Sequence, residues 1–329
     1  MINIFYTVDD NFVPQLAANL CSICTNHPVS NNLKFYILSD GISDTNQELL
    51  TSFVKTFTQS IVFIDISEFD KNLGFDFDTT GWNKIVLARL LMERYLPSSL
   101  DRILYLDGDT LVLQDIELLW ETDLQGKTIG MVCEPTVSSK RKKDLNLKSH
   151  QYHNAGVLLV DLNKWRETDA EQRLLAYCKE SGSLFANDQD ALNVVLSDEI
   201  LDLPPKYNLS NVFDYYPYWY LNLRSKSFAT QLEYLDGKSN PCIVHFLGED
   251  RPWREGCTHR FCSAYDHYLS LTPWGNTSRE KGWRIYFMFW KAFNVVMKPM
   301  PFVRLPIINS LIPFFLNFRK NKIAATRRN

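Results

Sequence analysis

Apolar runs and helically spaced segments alternate from the start of the chain. Ile2–Val8 is a short run of β-formers, closed by the polar turn Asp9-Asp10-Asn11. Pro14 then stands at a first-turn position of a helical stretch. Leu33–Leu38 reads as a second strand, Ser43 as the cap of a helix through about Phe57, and Ile61–Ile66 as a third strand. Trp82–Leu96 carries apolar residues at helical spacing and stops before Pro97. Arg102–Leu106 is a fourth strand that runs into Asp107-Gly108-Asp109. Alternation of this kind predicts an α/β fold with a mostly parallel sheet covered on both faces. Ligands of such sheets bind at the carboxyl ends of the strands, so Asp9, Asp107 and Asp109 are expected near one rim.

The pattern continues with strands at Thr128–Cys133 and Ala155–Leu162 and helices at Trp165–Lys179 and Asp188–Leu196. The basic stretch Lys140-Arg141-Lys142-Lys143 falls in an expected loop running to about Tyr152. It is either a solvated loop or a lid over an anionic donor. Pro204-Pro205 interrupts the chain, residues 211–220 form an aromatic cluster, and Ile243–Phe246 is a last strand before Gly248. From residue 279 onward aromatic and basic residues intermingle, and prolines at 299, 301, 306 and 313 forbid one long helix. A short amphipathic segment in the membrane interface fits this composition, the alternatives being packing on the body or a protein interface.

Charge sharpens that division. The net charge is −3, but eleven Lys or Arg against Glu280 give residues 279–329 a charge of +10 and leave −13 on residues 1–278. An acidic body argues against nucleic-acid binding, and the basic tail points to an anionic surface. With 329 residues, one large α/β domain (1–271) and an appended tail (279–329) account for the chain. Seven scattered cysteines do not form a disulfide framework. Cys21 and Cys24 lie in a helical run, and Cys257, His259 and Cys262 lack further zinc ligands. With a strand pattern at the very start and no apolar run of about 20 residues, neither a signal peptide nor a spanning helix is expected. The location read from this is cytoplasmic and peripheral on the inner face of the cell membrane.

The chemistry concentrates in four places. In Ile-Leu-Tyr-Leu-Asp-Gly-Asp-Thr (103–110) an apolar strand delivers two carboxylates to an exposed rim. Such a pair holds a divalent cation, which in turn stabilises a diphosphate leaving group. His245 ends a strand pattern and can complete an Asp107, Asp109, His245 set; mixed N and O ligation suits Mn²⁺ better than Mg²⁺. Nearby Gly248 permits close backbone approach and Arg251 offers charge to a diphosphate. Asn187-Asp188-Gln189-Asp190 at a helix entrance is either a cap or a grip on sugar hydroxyls, and Asn154-Ala155-Gly156 lets backbone approach a ligand. The competing chemistry is a phosphohydrolase with Asp107 as nucleophile, but its downstream lysine and second acidic motif are not found.

In order and spacing these elements resemble family 8 of the retaining glycosyltransferases, which includes bacterial lipopolysaccharide galactosyl- and glucosyltransferases. Phe5 through Asn11, Ala88-Arg89-Leu90, Tyr105 through Asp109, Asn154 through Leu159, Asp188 through Asp190 and His245 through Trp253 carry the resemblance. It implies a nucleotide-diphospho-sugar transferase domain of the GT-A type. Thr7, Asp9 and Asn11 match uridine-holding positions, and Asp107, Asp109 and His245 match metal ligands. Arg89, Asn154, Ala155, Gly156, Asp188 and Gln189 match positions around the donor sugar, and Gly248 and Arg251 match diphosphate contacts. Arg251 stands where lysine is common, and Thr7 replaces a commoner alanine. The implied reaction is metal-assisted departure of UDP from a UDP-sugar, with the acceptor hydroxyl attacking from the same face. Asp188 or Gln189 would stabilise the oxocarbenium-like centre or act covalently. A glycan, glycolipid or glycoprotein is the implied acceptor, and a non-catalytic nucleotide-sugar-binding protein is the remaining alternative.

Overall fold

The computed structural model describes residues 1–79, 84–147 and 150–312. Trp82 and Pro313, named above, lie outside the described residues, as do the tail aromatics Phe314, Phe315 and Phe318. The main sheet contains β1 (Ile2–Asp9), β2 (Leu33–Asp40), β3 (Ser60–Asp65), β4 (Arg102–Leu106), β6 (Ile129–Cys133), β7 (His153–Asp161) and β8 (Ile200–Leu203), in the order β3-β2-β1-β4-β7-β6-β8. β3-β2-β1-β4 and β6-β8 pair in parallel, while β7 runs antiparallel to both its neighbours. The sheet is therefore mostly parallel, as the alternation predicts.

The strands read as continuous apolar runs because both faces are covered. Along β1, Ile2, Ile4, Tyr6 and Val8 enter one core while Phe5 enters the other. Along β4, Leu104 and Leu106 belong to the first core and Ile103 and Tyr105 to the second. Full burial of each such side chain contributes about 1.5–3 kcal/mol. That inventory anchors the strand ends from which the site residues project.

A smaller sheet, absent from the sequence reading, holds β5 (Thr110–Val112), β9 (Leu209–Ser210) and β10 (Ile243–His245) in the order β5-β10-β9. β5 and β10 are antiparallel with His245 opposite Thr110. This register carries the chain straight from the Asp107-Gly108-Asp109 turn into a strand that faces His245.

Three expected elements differ. The 82–96 segment is, over its described part, a 3-10 helix at Lys84–Leu91 followed by one α-turn at Met92–Tyr95. Leu87, Ala88, Leu90, Leu91 and Met92 are all buried, so enclosure rather than a one-sided stripe holds it. The basic stretch is a short helix, Ser139–Asp144, because Ser138 caps it by accepting from Arg141 N at 3.1 Å. Trp165–Lys179 is split into helices Leu162–Glu167 and Ala170–Ser181 by Asp169, whose φ of 52° is left-handed.

In the tail, the helix Arg284–Met297 and helical residues 301–312 are separated at Pro299 and Pro301. Phe287, Arg304 and Leu305 are buried against the body, whereas Ile285, Met288, Phe289, Val295 and Val296 are exposed. Among the described residues no helix is long and apolar enough to cross a membrane.

Candidate active site

β4 ends at Leu106, and the turn that follows is closed by Thr110 N donating to Asp107 O at 3.1 Å. Gly108 is confined: a Cβ there would lie 2.9 Å from the Phe12 ring. Phe12 ends the 3-10 turn Asp10–Phe12 after β1, so the Asp9 and Asn11 region packs directly on the Asp-Gly-Asp turn. Phe246 N donates to Asp109 O at 3.0 Å, tying the turn to β10. The outcome is a cluster in which one ligand atom each from Asp107, Asp109 and His245 lies within 4.8 Å of the others. His245 Nε2 is 3.2 Å from Asp109 Oδ1 and 3.6 Å from Asp107 Oδ2. Among the described residues no other such His, Cys, Asp and Glu group is found. Cys257 and Cys262, whose sulfurs are 2.7 Å apart, are not joined with His259 into a further ligand set.

The orientation of the imidazole follows from a relay that begins at a backbone amide. Gly156 N donates to Asn154 Oδ1 at 2.9 Å, and Asn208 Nδ2 donates to the same oxygen at 2.9 Å. Asn208 thus presents Oδ1 to His245 Nδ1 at 2.9 Å, so Nδ1 carries a hydrogen. In the neutral ring Nε2 then aims its lone pair at two carboxylates, an arrangement completed by a cation between them. The donor set, two carboxylates and a held imidazole, fits a divalent metal. Gly156 is required by the same geometry, because a Cβ there would be 2.1 Å from His245 Cε1.

Two arginines balance the acids. Arg89, from the 3-10 segment, pairs with Asp107 at 2.9 Å and Asp188 at 3.0 Å, donates to Ala155 O at 2.7 Å, and lies 4.4 Å from the Tyr105 ring centre. Burial works to lower the Arg89 pKa, but these acids raise it overall. Burial pushes Asp188 up to about 6 against the pull of Arg89. Arg251 pairs with Asp109 at 3.1 Å and donates to Gly248 O at 2.8 Å. For Asp109, burial acts upward, but a protonated His245, the alternative to the neutral ring that a cation would take, together with Arg251 outweighs it and holds the carboxyl at about 2.

Gln189, in the helix Asn187–Val195, is fixed at both ends of its amide. Its Oε1 accepts from Ala155 N at 3.0 Å and Asn154 Nδ2 at 3.1 Å, and its Nε2 donates to Glu134 at 3.2 Å and Tyr152 at 3.3 Å. Thr7 reaches the cluster through Tyr105, whose hydroxyl is 3.3 Å from Thr7 Oγ1 and donates to Asp107 at 2.5 Å. Asn11 is exposed beside the turn. The structure therefore gathers Arg89, Asp107, Asp109, Asn154, Ala155, Gly156, Asp188, Gln189, His245, Gly248 and Arg251 into one connected network. Thr7 joins it through Tyr105, and Asp9 and Asn11 border it.

Several members were missed by sequence reasoning. Tyr105 looks like an ordinary strand aromatic, Tyr152 ends what reads as a loop, and Glu134 and Asn208 lie in segments too short to show a period. Asp190 was visible in its motif but not assigned. It is buried and accepts from Arg141 at 2.5 and 2.6 Å, from Tyr152 at 2.6 Å and from Ala186 N at 2.9 Å. It thus ties the basic helix to the Gln189 helix.

The sequence pattern of glycosyl transferase family 8 matches residues 3–257. The chain belongs to glycosyl transferase family 8. Among the relatives of this family, general stress protein A of Bacillus subtilis is 28% identical over 83% of this chain and 95% of that one. Lipopolysaccharide 1,2-glucosyltransferase of Escherichia coli K12 is 27% identical over 84% of this chain and 80% of its own length. The crystal structure of the galactosyltransferase LgtC with donor and acceptor sugar analogues superposes with a TM-score of 0.69. It is 25% identical, covering 86% of this chain and 99% of that one. This family 8 chain is accordingly a glycosyltransferase, with the α/β GT-A architecture of that structure.

Proposed function

We propose that the chain transfers a hexose, galactose or glucose, from a UDP-sugar to a glycan acceptor of the cell surface, with retention of anomeric configuration. The observation that carries this reading is the Asp107, Asp109, His245 cluster, with Nε2 held toward both carboxylates and Arg251 beside it. A divalent cation held by these three residues, Mn²⁺ for preference, would supply Lewis acidity to the departing diphosphate. Arg251 adds positive charge where negative charge develops, and the left-handed Gly248 keeps the adjoining backbone open. Thr7, Asp9 and Asn11 border the cluster where a uridine would extend along the end of β1. Arg89 fixes Asp107 and Asp188 in place, and Asn154 and Ala155 orient Gln189 toward the donor sugar. The held amide of Gln189 favours electrostatic shielding of the sugar carbon over a covalent step.

A phosphohydrolase role for Asp107 finds no support in this arrangement. One Asp107 oxygen accepts from Tyr105 and pairs with Arg89, and the other faces His245, so neither is left as a nucleophile. The exposed apolar face of the tail, with Lys291 midway along the same helix and Lys298 at its end, supports an anionic membrane as its resting surface. The body would then lie on the cytoplasmic side.

UDP release from a panel of UDP-sugars, with Mn²⁺, with Mg²⁺ and with chelator, tests the proposal. Metal-dependent release from one UDP-hexose is expected. Metal-independent release, or none from any donor with or without acceptors, would sink it.

A further inference from the structure

Beyond Gln189 and Arg251 the rim opens into a cleft of about 980 Å³, at the upper end of the size range of small-molecule sites. One wall is the basic helix and the Gln189 helix, and the floor is the Gly248–Arg251 loop. The other wall is the tail. There Tyr286, Trp290 and Phe293 form a ladder of nearly parallel rings, 14° and 15° between successive planes, with centroids 6.2 and 5.5 Å apart. All three are only partly buried and line the cleft.

The ladder is built in, not loosely apposed. Trp290 Nε1 donates to Tyr215 Oη at 3.3 Å, and Tyr215 donates to Asp250 at 3.0 Å, next to Arg251. Arg304, only 2% exposed, sits 4.0 Å from the Tyr215 ring centre and donates to Asn294 at 2.7 Å. Held flat rings present large apolar area at little entropic cost, which suits the C–H face of a pyranose. The adjoining side of the same helix is apolar and open, with Ile285 69% and Phe289 65% exposed, and Phe289 also borders the cleft. A ligand lying on the ladder therefore has its far end next to an apolar surface.

We infer that the tail is a wall of the acceptor site, with Tyr286, Trp290 and Phe293 as its stacking platform, and that the acceptor is a saccharide joined to an apolar chain. The inference rests on the glycosyl-transfer reading above and deepens it by naming the acceptor class. The cleft's continuity with Gln189 and Arg251 places a bound saccharide beside the reacting centre. The exposed helix face receives its apolar chain.

The test uses the full chain, Mn²⁺, the preferred UDP-sugar and paired methyl and octyl β-glycosides of glucose, galactose and lactose. Acceptor-stimulated UDP release should show a KM at least about tenfold lower for the octyl member of the productive pair. Trp290→Leu should raise that KM about tenfold with kcat within about twofold, and Trp290→Phe should restore it. Phe293→Leu serves if Trp290→Leu lowers the thermal midpoint. Equal response to methyl and octyl members, no stimulation by any pair, or unchanged kinetics in both leucine variants would overturn the inference. Absence of UDP from every donor strikes instead at glycosyl transfer itself.

Discussion

The two walls of the cleft are built on different principles. The donor side is a polar network in which nearly every side chain is held from two or more elements: Arg89 by Asp107, Asp188 and Ala155, and Gln189 by Asn154, Ala155, Glu134 and Tyr152. The tail side has few hydrogen bonds and is set by ring packing around Arg304. Charge that develops in a transition state needs donors fixed in advance, since any reorganisation is added to the barrier. A surface that selects an acceptor by apolar shape needs area more than aim. Damage on the donor side should therefore spread through the network and appear in turnover, while damage on the tail side should stay local and appear in acceptor KM.

The strongest way to break that contrast is Asp109→Asn. Loss of one carboxylate of the cluster is expected to lower metal-dependent UDP release about a thousandfold, with the fold intact by circular dichroism. Near-normal turnover would remove the metal assignment. Gly156→Ala comes next: its methyl group overlaps the His245 ring, so the imidazole must move, and Mn²⁺ affinity by titration should fall about a hundredfold. Retained affinity would mean that the ring has room the geometry does not show. Asn208→Ala removes the group that holds Nδ1 and leaves the ring in place, so a loss of about tenfold to a hundredfold in Mn²⁺ affinity is expected.

A fourth change lies apart from both walls and separates stability from function. Glu171 is buried, its carboxyl 3.4 Å from Arg94, and burial raises it from 4.5 to about 7 despite that arginine. The folded chain then holds more protons than the unfolded chain between those values. Stability must fall as pH rises from about 4.5 to 7 and level off above. Glu171→Gln should remove the slope between about pH 6 and 7 and lessen it below, where Asp188, raised to about 6, also contributes. It should also stabilise the chain at pH 8 by on the order of 2 kcal/mol, read from denaturant unfolding, with kinetics unchanged. An undiminished slope between about pH 6 and 7 would assign it to another group.

Much of the fold was legible because the parallel strands are buried on both faces and print as unbroken apolar runs. β1, β2, β4 and β6 are of that kind, as is the antiparallel β7, while the edge strand β3, with Val62 38% exposed, still prints as an apolar run. β10 showed as the apolar run Ile243–Phe246, but β5 and β9 have three and two residues, too few for any periodicity, and the small sheet that brings His245 to the aspartates stayed hidden. The break at Asp169 was masked because apolar spacing continues across it. In the site, the acidic turn stood out as polar residues ending an apolar run. Asn208 did not, because its role is to face another polar residue far along the chain. The tail's composition was plain, but its division into a packed ring face and an open apolar face depends on tertiary contacts.

The pairing of β5 with β10 has a consequence for how the molecule comes to be active. Asp109 leaves the ribosome well before His245, and the two are joined only when the register of Thr110 against His245 closes. Contacts between such distant positions carry a large loop-closure cost and form late. During synthesis the nascent domain can thus complete most of its main sheet while still lacking a full ligand set. A full ligand set exists only after β10 has been made and its register against β5 has closed, so metal capture reports that this long-range pairing is in place.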